Sequence, residues 1–275
     1  MRKLILGLGM GLSLYETEQT ALIKRRGFDG VFSVWKDDDD FNKQVAAAIK
    51  EQNLFYHSIH APFSNVHHLW ESKDEGDCEV KQQIRCLEDA ARFGVDLVIM
   101  HTIIGMDRHT PTPLGVERYA EIFDSAKRLG VRVALENTEG EEYLETLMEA
   151  FSHDRNVGFC IDTGHEMCYN GCRDMVGKYG HRLFSTHLND NMGQTGEALT
   201  WHDDAHMLPF DGIADWHKIV ARLEAVDYRG DLTFELTTKS KPSRHCNDRY
   251  TAMSPEEYIA ETYQKACLVR DLFHD

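Results

Sequence analysis

Arg132-Val133-Ala134-Leu135-Glu136-Asn137 and Val157-Gly158-Phe159-Cys160-Ile161-Asp162 are the two stretches that decide the fold. Each is short, apolar almost throughout, and carries an acid at its end. A strand with one face in water alternates apolar and polar residues, whereas a continuous apolar run marks a parallel strand covered on both faces. Six further runs of this kind lie outward along the chain, at 4–10, 30–35, 54–60, 97–102, 183–188 and 232–236. Amphipathic helical patterns separate them. Those at 80–93 and 116–129 stop at Gly94 and Gly130, where glycine accepts the left-handed conformation that ends a helix. The last helix opens on Ser254-Pro255-Glu256-Glu257, a capping box with proline in the first turn.

Eight strands, each followed by a helix or a long loop, predict an α/β fold. The expectation is a single (β/α)8 TIM barrel over 1–275, with its active site at the C-terminal mouth of the strands. A doubly wound open sheet alternates in the same way, so the strand count by itself leaves both. No repeat, low-complexity tract or linker interrupts the pattern.

The 275 residues include 42% hydrophobic and 28% charged residues, within the range of ordinary globular chains. Net charge is −16, which repels polyanions at long range and lowers the expectation of nucleic-acid binding without closing it. The longest apolar stretches reach about seven residues, short of the roughly 20 that cross a bilayer, so no membrane partner is expected. Met1–Gly7 starts basic, but its apolar run is too short for a signal peptide and reads as a first strand. Seven cysteines, with Cys86, Cys160 and Cys267 inside regular elements, fit buried thiols in a reducing compartment, and we expect a cytoplasmic protein. Cys168 and Cys172 are spaced i, i+4 but lack further thiol or imidazole partners, and the run Asp37–Asp40 reads as an acidic helix start rather than a cation site.

Gly7-Leu8-Gly9-Met10-Gly11 follows the first strand, but its third glycine falls one position early for a dinucleotide fingerprint. A tight βα turn accounts for it, and no nucleotide cofactor is expected. Phosphate-loop, serine-elbow and zincin motifs are absent from the sequence.

What remains is a constellation. His60, His101, Glu136, Asp162, His187 and Glu235 each fall at the C-terminal end of a strand run, and His165 follows Asp162 in the turn. One such residue is usually a satisfied structural group. Six strands ending in this way place metal-type ligands around one barrel mouth, because acids and imidazoles are rarely buried unless paired or bound to an ion. Mixed carboxylate and imidazole donors suit Zn²⁺ or Mn²⁺, with Mg²⁺ or Co²⁺ as alternatives, and the lack of thiolate disfavours a structural zinc.

The ordered segments His-Ala-Pro-Phe (60–63), Leu-Glu-Asn-Thr-Glu-Gly (135–140), Ile-Asp-Thr-Gly-His (161–165), His-Leu-Asn-Asp (187–190) and Phe-Glu-Leu (234–236) resemble the xylose-isomerase-like TIM barrel superfamily. That superfamily includes sugar isomerases and epimerases and the endonuclease IV repair enzymes. For the epimerase branch, the resemblance implies one divalent ion on Glu136, Asp162, His187 and Glu235, with Glu136 and Glu235 also serving as the acid/base pair. It implies sugar contacts for His165 and Glu142, and His60 and His101 at the same mouth are further candidate substrate contacts; Gly193 stands where tagatose-epimerase-like members carry Arg. For the endonuclease branch, it implies further ions on His60, His101, His165, Asp204 and His206.

Two carboxylates on opposite walls suit proton transfer between carbon positions of a keto sugar, with Trp35, Phe63 and Trp201 as candidate shields from water. An abasic-site endonuclease must grip a bent duplex through Lys and Arg. The loops after the first three strands supply few of these: 13–20 has none, Lys36 precedes four Asp, and 65–77 holds one Lys among acids. The favoured expectation is therefore a metal-dependent sugar or sugar-phosphate isomerase or epimerase with a small-molecule substrate. Homo-oligomers are frequent among such enzymes. The basic residues Lys239, Lys241 and Arg244 are a candidate phosphate contact or a solvated loop.

Overall fold

A computed structural model describes residues 2–71, 73–106 and 110–274. Eight parallel strands form one sheet in the order β7-β6-β5-β4-β3-β2-β1-β8. They are β1 (Leu4–Gly7), β2 (Gly30–Val34), β3 (Phe55–His60), β4 (Leu97–His101), β5 (Arg132–Glu136), β6 (Val157–Asp162), β7 (Leu183–His187) and β8 (Leu232–Phe234). Leu188, just past β7, bridges Phe234 in parallel and brings the two edges together, so the sheet is a nearly closed barrel. This is the TIM-barrel arrangement expected from the sequence, and the open-sheet alternative falls away. Most strands stop one or two residues short of the apolar runs that predict them, because the last residues of each run turn into the mouth.

The helices that carry the argument are α1 (Glu16–Arg26), α2 (Asp39–Glu51), α3 (Asp74–Phe93), α4 (Pro113–Leu129), α5 (Glu141–Ala150), α6 (Thr163–Cys168), α7 (Met175–Tyr179), α8 (Trp216–Ala225) and α9 (Pro255–Asp271). α3 starts six residues before the apolar periodicity does. Its first turn is Asp74, Glu75 and Asp77, acids that favour the positive end of the helix dipole but give no hydrophobic signal. Asp38 caps α2 by accepting from the Phe41 amide at 3.0 Å, so the Asp37–Asp40 run is a helix start. Ser254 and Glu257 form the capping box at the start of α9.

Alternate strand residues such as Val98, Met100, Val133, Leu135, Phe159 and Ile161 pack outward against the helices in one large core, while Leu97, Ile99, Ala134 and Cys160 form a small cluster inside the barrel. Two register irregularities decide which side chains reach the mouth. On β3 the pairing skips His57, and on β7 it skips Phe184. Tyr56 and His60 share parity along β3, yet Tyr56 packs with the outer core and His60 meets Glu136 inside. The extra residue switches the face, and the same shift on β7 separates outward Leu183 from inward His187. Gly7 permits the next layer: a Cβ there would lie 2.6 Å from Phe32, whose ring stacks under His187 at 4.9 Å between centroids.

Candidate metal centre

The strand ends bring Glu136, Asp162, His187 and Glu235 together, with one donor atom from each lying within 4.8 Å of the others. Three more groupings meet the same criterion: His60, His101 and Glu136; His60, His187 and Glu235; and Asp162, His165 and His206. Glu136 is the hub and is fully buried. Its Oε2 faces His60 Nε2 at 3.2 Å and His101 Nε2 at 3.4 Å, and its Oε1 faces His187 Nδ1 at 3.1 Å and His165 Nδ1 at 3.4 Å. His187 Nδ1 is also 3.1 Å from Glu235 Oε2, so one imidazole nitrogen lies between the two glutamates.

Local structure sets each donor. Asp162 ends β6 and caps α6, its Oδ1 accepting from the His165 amide at 2.7 Å and its Oδ2 from Asn189 Nδ2 at 2.8 Å. Gly164 is required for that contact: a Cβ there would sit 2.0 Å from Asn189 Oδ1. Asn137 ties β5 to β6, accepting from the Asp162 amide at 2.7 Å and donating to its carbonyl at 2.9 Å. Asp204 and His206 come from the long connection after β7. Paired amides of Asp190 and Met207, each donating to the other's carbonyl at 2.9 Å, clamp that loop, and His206 adopts a left-handed φ of 46°. Such a backbone costs about 1–3 kcal/mol and is held only where the surroundings impose it.

The hydrogen-bond pattern tests whether these residues suit a cation. His60 Nδ1 donates to the Ala61 carbonyl at 2.7 Å, and His206 Nδ1 lies 3.2 Å from the Glu235 carbonyl. His165 Nδ1 lies 3.0 Å from the Asn137 carbonyl. With Nδ1 carrying the proton, each neutral ring turns the lone pair of Nε2 outward. That lone pair meets a carboxylate oxygen: Glu136 for His60, and Asp204 for His165 at 3.4 Å and His206 at 2.9 Å. Lone pair against lone pair is resolved by a second proton or by a metal ion, and a backbone carbonyl on the far nitrogen is the usual brace of a metal-binding imidazole. The donor set therefore fits divalent cations.

Without an ion, protons do that balancing. Burial favours neutral His206, but Asp204 and Glu235 outweigh it and raise its pKa to about 9. His165 and His187 are likewise carried well above the usual imidazole value, against burial, by Asp162 and Asp204 and by Glu235 and Glu136 respectively. Burial raises Glu235, yet His187 pulls it down to about 2, and Glu136 falls well below its usual value for the same reason. Asp162 is pushed up to about 6, chiefly by burial.

A cavity of about 310 Å³ covers the cluster, lined by His60, His101, His165, Asp204, His206 and Glu235 and walled by Phe63, Tyr169, Trp201 and Lys241. Phe63 and Trp201 thus stand where a shield from water is expected. Trp35 does not: its indole donates to Asp89 of α3 at 2.7 Å, away from the lining. Glu142 is the remaining sugar contact expected from the sequence. Gly140 caps α5, which leaves Glu142 exposed in the first helical turn and outside the cavity lining. Glu139, just before the cap, lines the cavity instead and accepts from the Gly105 amide at 2.6 Å. Sequence reasoning passed over Glu139 and Tyr169; a polar residue in the βα loop directly after β5 was the available signal. Among the basic residues after β8, Arg244 is held by Asp203 at 2.6 Å and Lys241 by Asp204 at 3.0 Å. Cys168 is buried and Cys172 exposed, and neither joins a donor group among the described residues. No helix among the described residues is long and apolar enough to cross a membrane.

A curated relative, uncharacterized protein y4fM of Sinorhizobium fredii, is 27% identical, the match covering 89% of this chain and 90% of that protein. Among solved structures, a xylose isomerase-like TIM barrel/4-hydroxyphenylpyruvate dioxygenase fusion protein superposes with a TM-score of 0.76 at 18% identity over 98% of this chain, which spans only 43% of that longer protein. D-Allulose 3-epimerase from Methylomonas sp., solved in complex with D-allulose, superposes with a TM-score of 0.71 at 16% identity, covering 99% of this chain and 98% of that one. At these identities the structures share the fold. The family profile described as xylose isomerase-like TIM barrel matches residues 20–264. The chain belongs to the xylose isomerase-like TIM barrel family.

Proposed function

We propose that this protein is a divalent-metal-dependent isomerase or epimerase of a keto sugar, with Glu136 and Glu235 as its acid/base pair. The carrying observation is that these two carboxylates, from β5 and from just past β8, each approach the same His187 nitrogen at 3.1 Å beneath one enclosed cavity. Glu136, Asp162, His187 and Glu235 would hold the ion. A divalent ion in such a site polarises a carbonyl and stabilises negative charge on its oxygen.

The chain's own groups supply the proton movements. Both glutamates are held ionised by the imidazoles beside them, so either can accept a proton from the carbon next to the carbonyl. The other then returns a proton to the neighbouring carbon or to the opposite face of the same carbon. Phe63, Tyr169 and Trp201 exclude water from the exposed carbanionic carbon, and Glu139 and His101 offer polar contacts to hydroxyls. The cavity's 310 Å³ falls at the small end of the ligand-pocket range of roughly 300–1,000 Å³, which suits a monosaccharide-sized molecule. The D-allulose complex of the epimerase with this fold supports the reading.

One observation favours a second reading. The donor groups number more than one ion needs, and His60, His101, Glu136, Asp162, His165, His187, His206 and Glu235, with Asp204 beside His165 and His206 at 3.4 and 2.9 Å, suit a zinc cluster for phosphodiester hydrolysis at abasic DNA sites. The net charge of −16 and the pairing of Lys241 and Arg244 with Asp204 and Asp203 weigh against a duplex. The test runs both assays on metal-loaded protein: exchange of carbon-bound hydrogen in deuterated water over a panel of keto sugars, and cleavage of an abasic duplex. The proposal expects exchange with at least one sugar, its loss in Glu235→Gln, and no cleavage. Full exchange activity in Glu235→Gln would end the assigned role.

A further inference from the structure

The mouth has a second lobe, a cavity of about 530 Å³ that shares Trp201, His206, Glu235 and Lys241 with the centre and extends from it between the loops after β1 and β8. Its chemistry differs from the inner chamber. Glu235 is the one acid in its lining, and Lys239, Lys241, Ser240 and Thr237 face it from the β8 side. Lys239 has no ion-pair partner among the described residues, so its ammonium is not already neutralised by a neighbouring acid. The opposite wall is the glycine-rich turn Gly7–Gly11. Gly9, Met10 and Gly11 have successive left-handed φ values of 99°, 45° and 69°, and the amides of Met10 and Gly11 donate to nothing among the described residues. A Cβ at Gly11 would also lie 3.0 Å from both Thr238 Oγ1 and Lys239 Cγ, so the two loops approach each other closely here.

We infer that this outer lobe receives an oxyanion carried by the substrate, so that the enzyme acts on a phosphorylated or carboxylated keto sugar rather than a neutral one. The inference rests on the sugar reading above and extends it. The Lys239 ammonium, the Thr237 hydroxyl and two unpaired amides are donors that a phosphate or carboxylate can use, with Lys241 beside them while also holding Asp204 at 3.0 Å; the Ser240 hydroxyl donates to Asp248 instead. Loops after the last strands of a TIM barrel are also where substrate phosphates are commonly held. Lys241 links the two lobes: its ammonium spans from Asp204 of the centre to the outer cavity and lies 5.8 Å from the Trp201 ring. The sugar's reacting carbons would lie over Glu136 and Glu235, with the anionic end beyond Trp201.

The test is calorimetric binding to the metal-loaded full chain of D-fructose, D-fructose 6-phosphate, D-fructuronate and inorganic phosphate. The anionic sugars are expected to bind at least about tenfold more tightly than D-fructose, the loss of one charged hydrogen bond being worth about that factor. The tighter of the two anionic sugars identifies phosphate or carboxylate as the group. In Lys239→Met/Lys241→Met the preference should fall below about threefold, while Lys239→Arg/Lys241→Arg should keep it. Lys239→Met alone, at an exposed position without ion-pair partners, should lose part of the preference and covers the case in which the double variant does not fold. Equal affinity for neutral and anionic sugars would overturn the inference. So would an anion preference that survives the double lysine change, since the anion would then be bound at the metal centre. Inorganic phosphate reports the lobe without turnover, so lysine-dependent phosphate binding without hydrogen exchange would remove the sugar reading and leave the oxyanion site.

Discussion

Glu136→Gln probes the hub of the centre with almost no change in shape. The carboxylate is fully buried and faces four imidazole nitrogens between 3.1 and 3.4 Å. At such distances each unit charge pair is worth about 5 kcal/mol before desolvation at an effective dielectric near 20. Breaking a buried pair by removing one partner costs about 3–5 kcal/mol in practice. In a domain of this size each kcal/mol moves the melting temperature by about 2–4 °C, so the metal-free variant should melt about 6–20 °C lower. Elemental analysis after zinc loading and desalting should show reduced metal, with the remainder held by the two groupings that exclude Glu136: Asp162, His165 and His206, and His60, His187 and Glu235. A variant with parental melting temperature and parental metal content would refute the reasoning, because Glu136 would then be neither a charge hub nor a ligand.

Three further outcomes follow from the same geometry. Gly164→Ala drives a Cβ into Asn189, the residue that donates to Asp162, and should lower metal affinity by at least about tenfold in a competition titration with a chelating dye, as outer partners of metal ligands typically do. Glu139→Gln should weaken substrate binding, whereas Glu142→Gln, outside the cavity, should leave binding and hydrogen exchange near parental values; comparable losses in both would contradict the assignment of the cavity wall. Because His165, His187 and His206 have raised pKa values in the metal-free protein, their ion pairs contribute stability that is complete below about pH 6.5 and declines as pH rises, the His206 share being lost as pH passes about 9. Denaturant titrations of metal-free protein should therefore show falling stability between pH 6.5 and 9, and zinc should abolish much of that slope while releasing protons at pH 7.

The barrel was legible because parallel strands buried on both faces leave continuous apolar runs, as at 97–101 and 132–136, that few other contexts produce. Strand-end residues such as Glu136 and Asp162 could be placed at one mouth for the same reason. Side-chain direction was less accessible. Parity counted from Tyr56 puts His60 outside, and only the skipped residue at His57 turns it inward, a register effect set by tertiary pairing rather than by local composition. Glu142 and Glu139 show the limit differently. Both are acids in one short loop-to-helix segment, and the cap at Gly140 decides that one faces the cavity and the other solvent. Lys241 lies in the aperiodic connection between β8 and α9, where no hydrophobic repeat fixes position, so its approach to Asp204 had no signature in the chain.

The most direct test is a crystal structure of the manganese- or zinc-loaded protein with anomalous data at the metal edge. The account predicts a peak about 2.0–2.3 Å from donor atoms of Glu136, Asp162, His187 and Glu235 together. Anomalous peaks that avoid those four residues, or loaded crystals in which their donor atoms share no common peak, would contradict it.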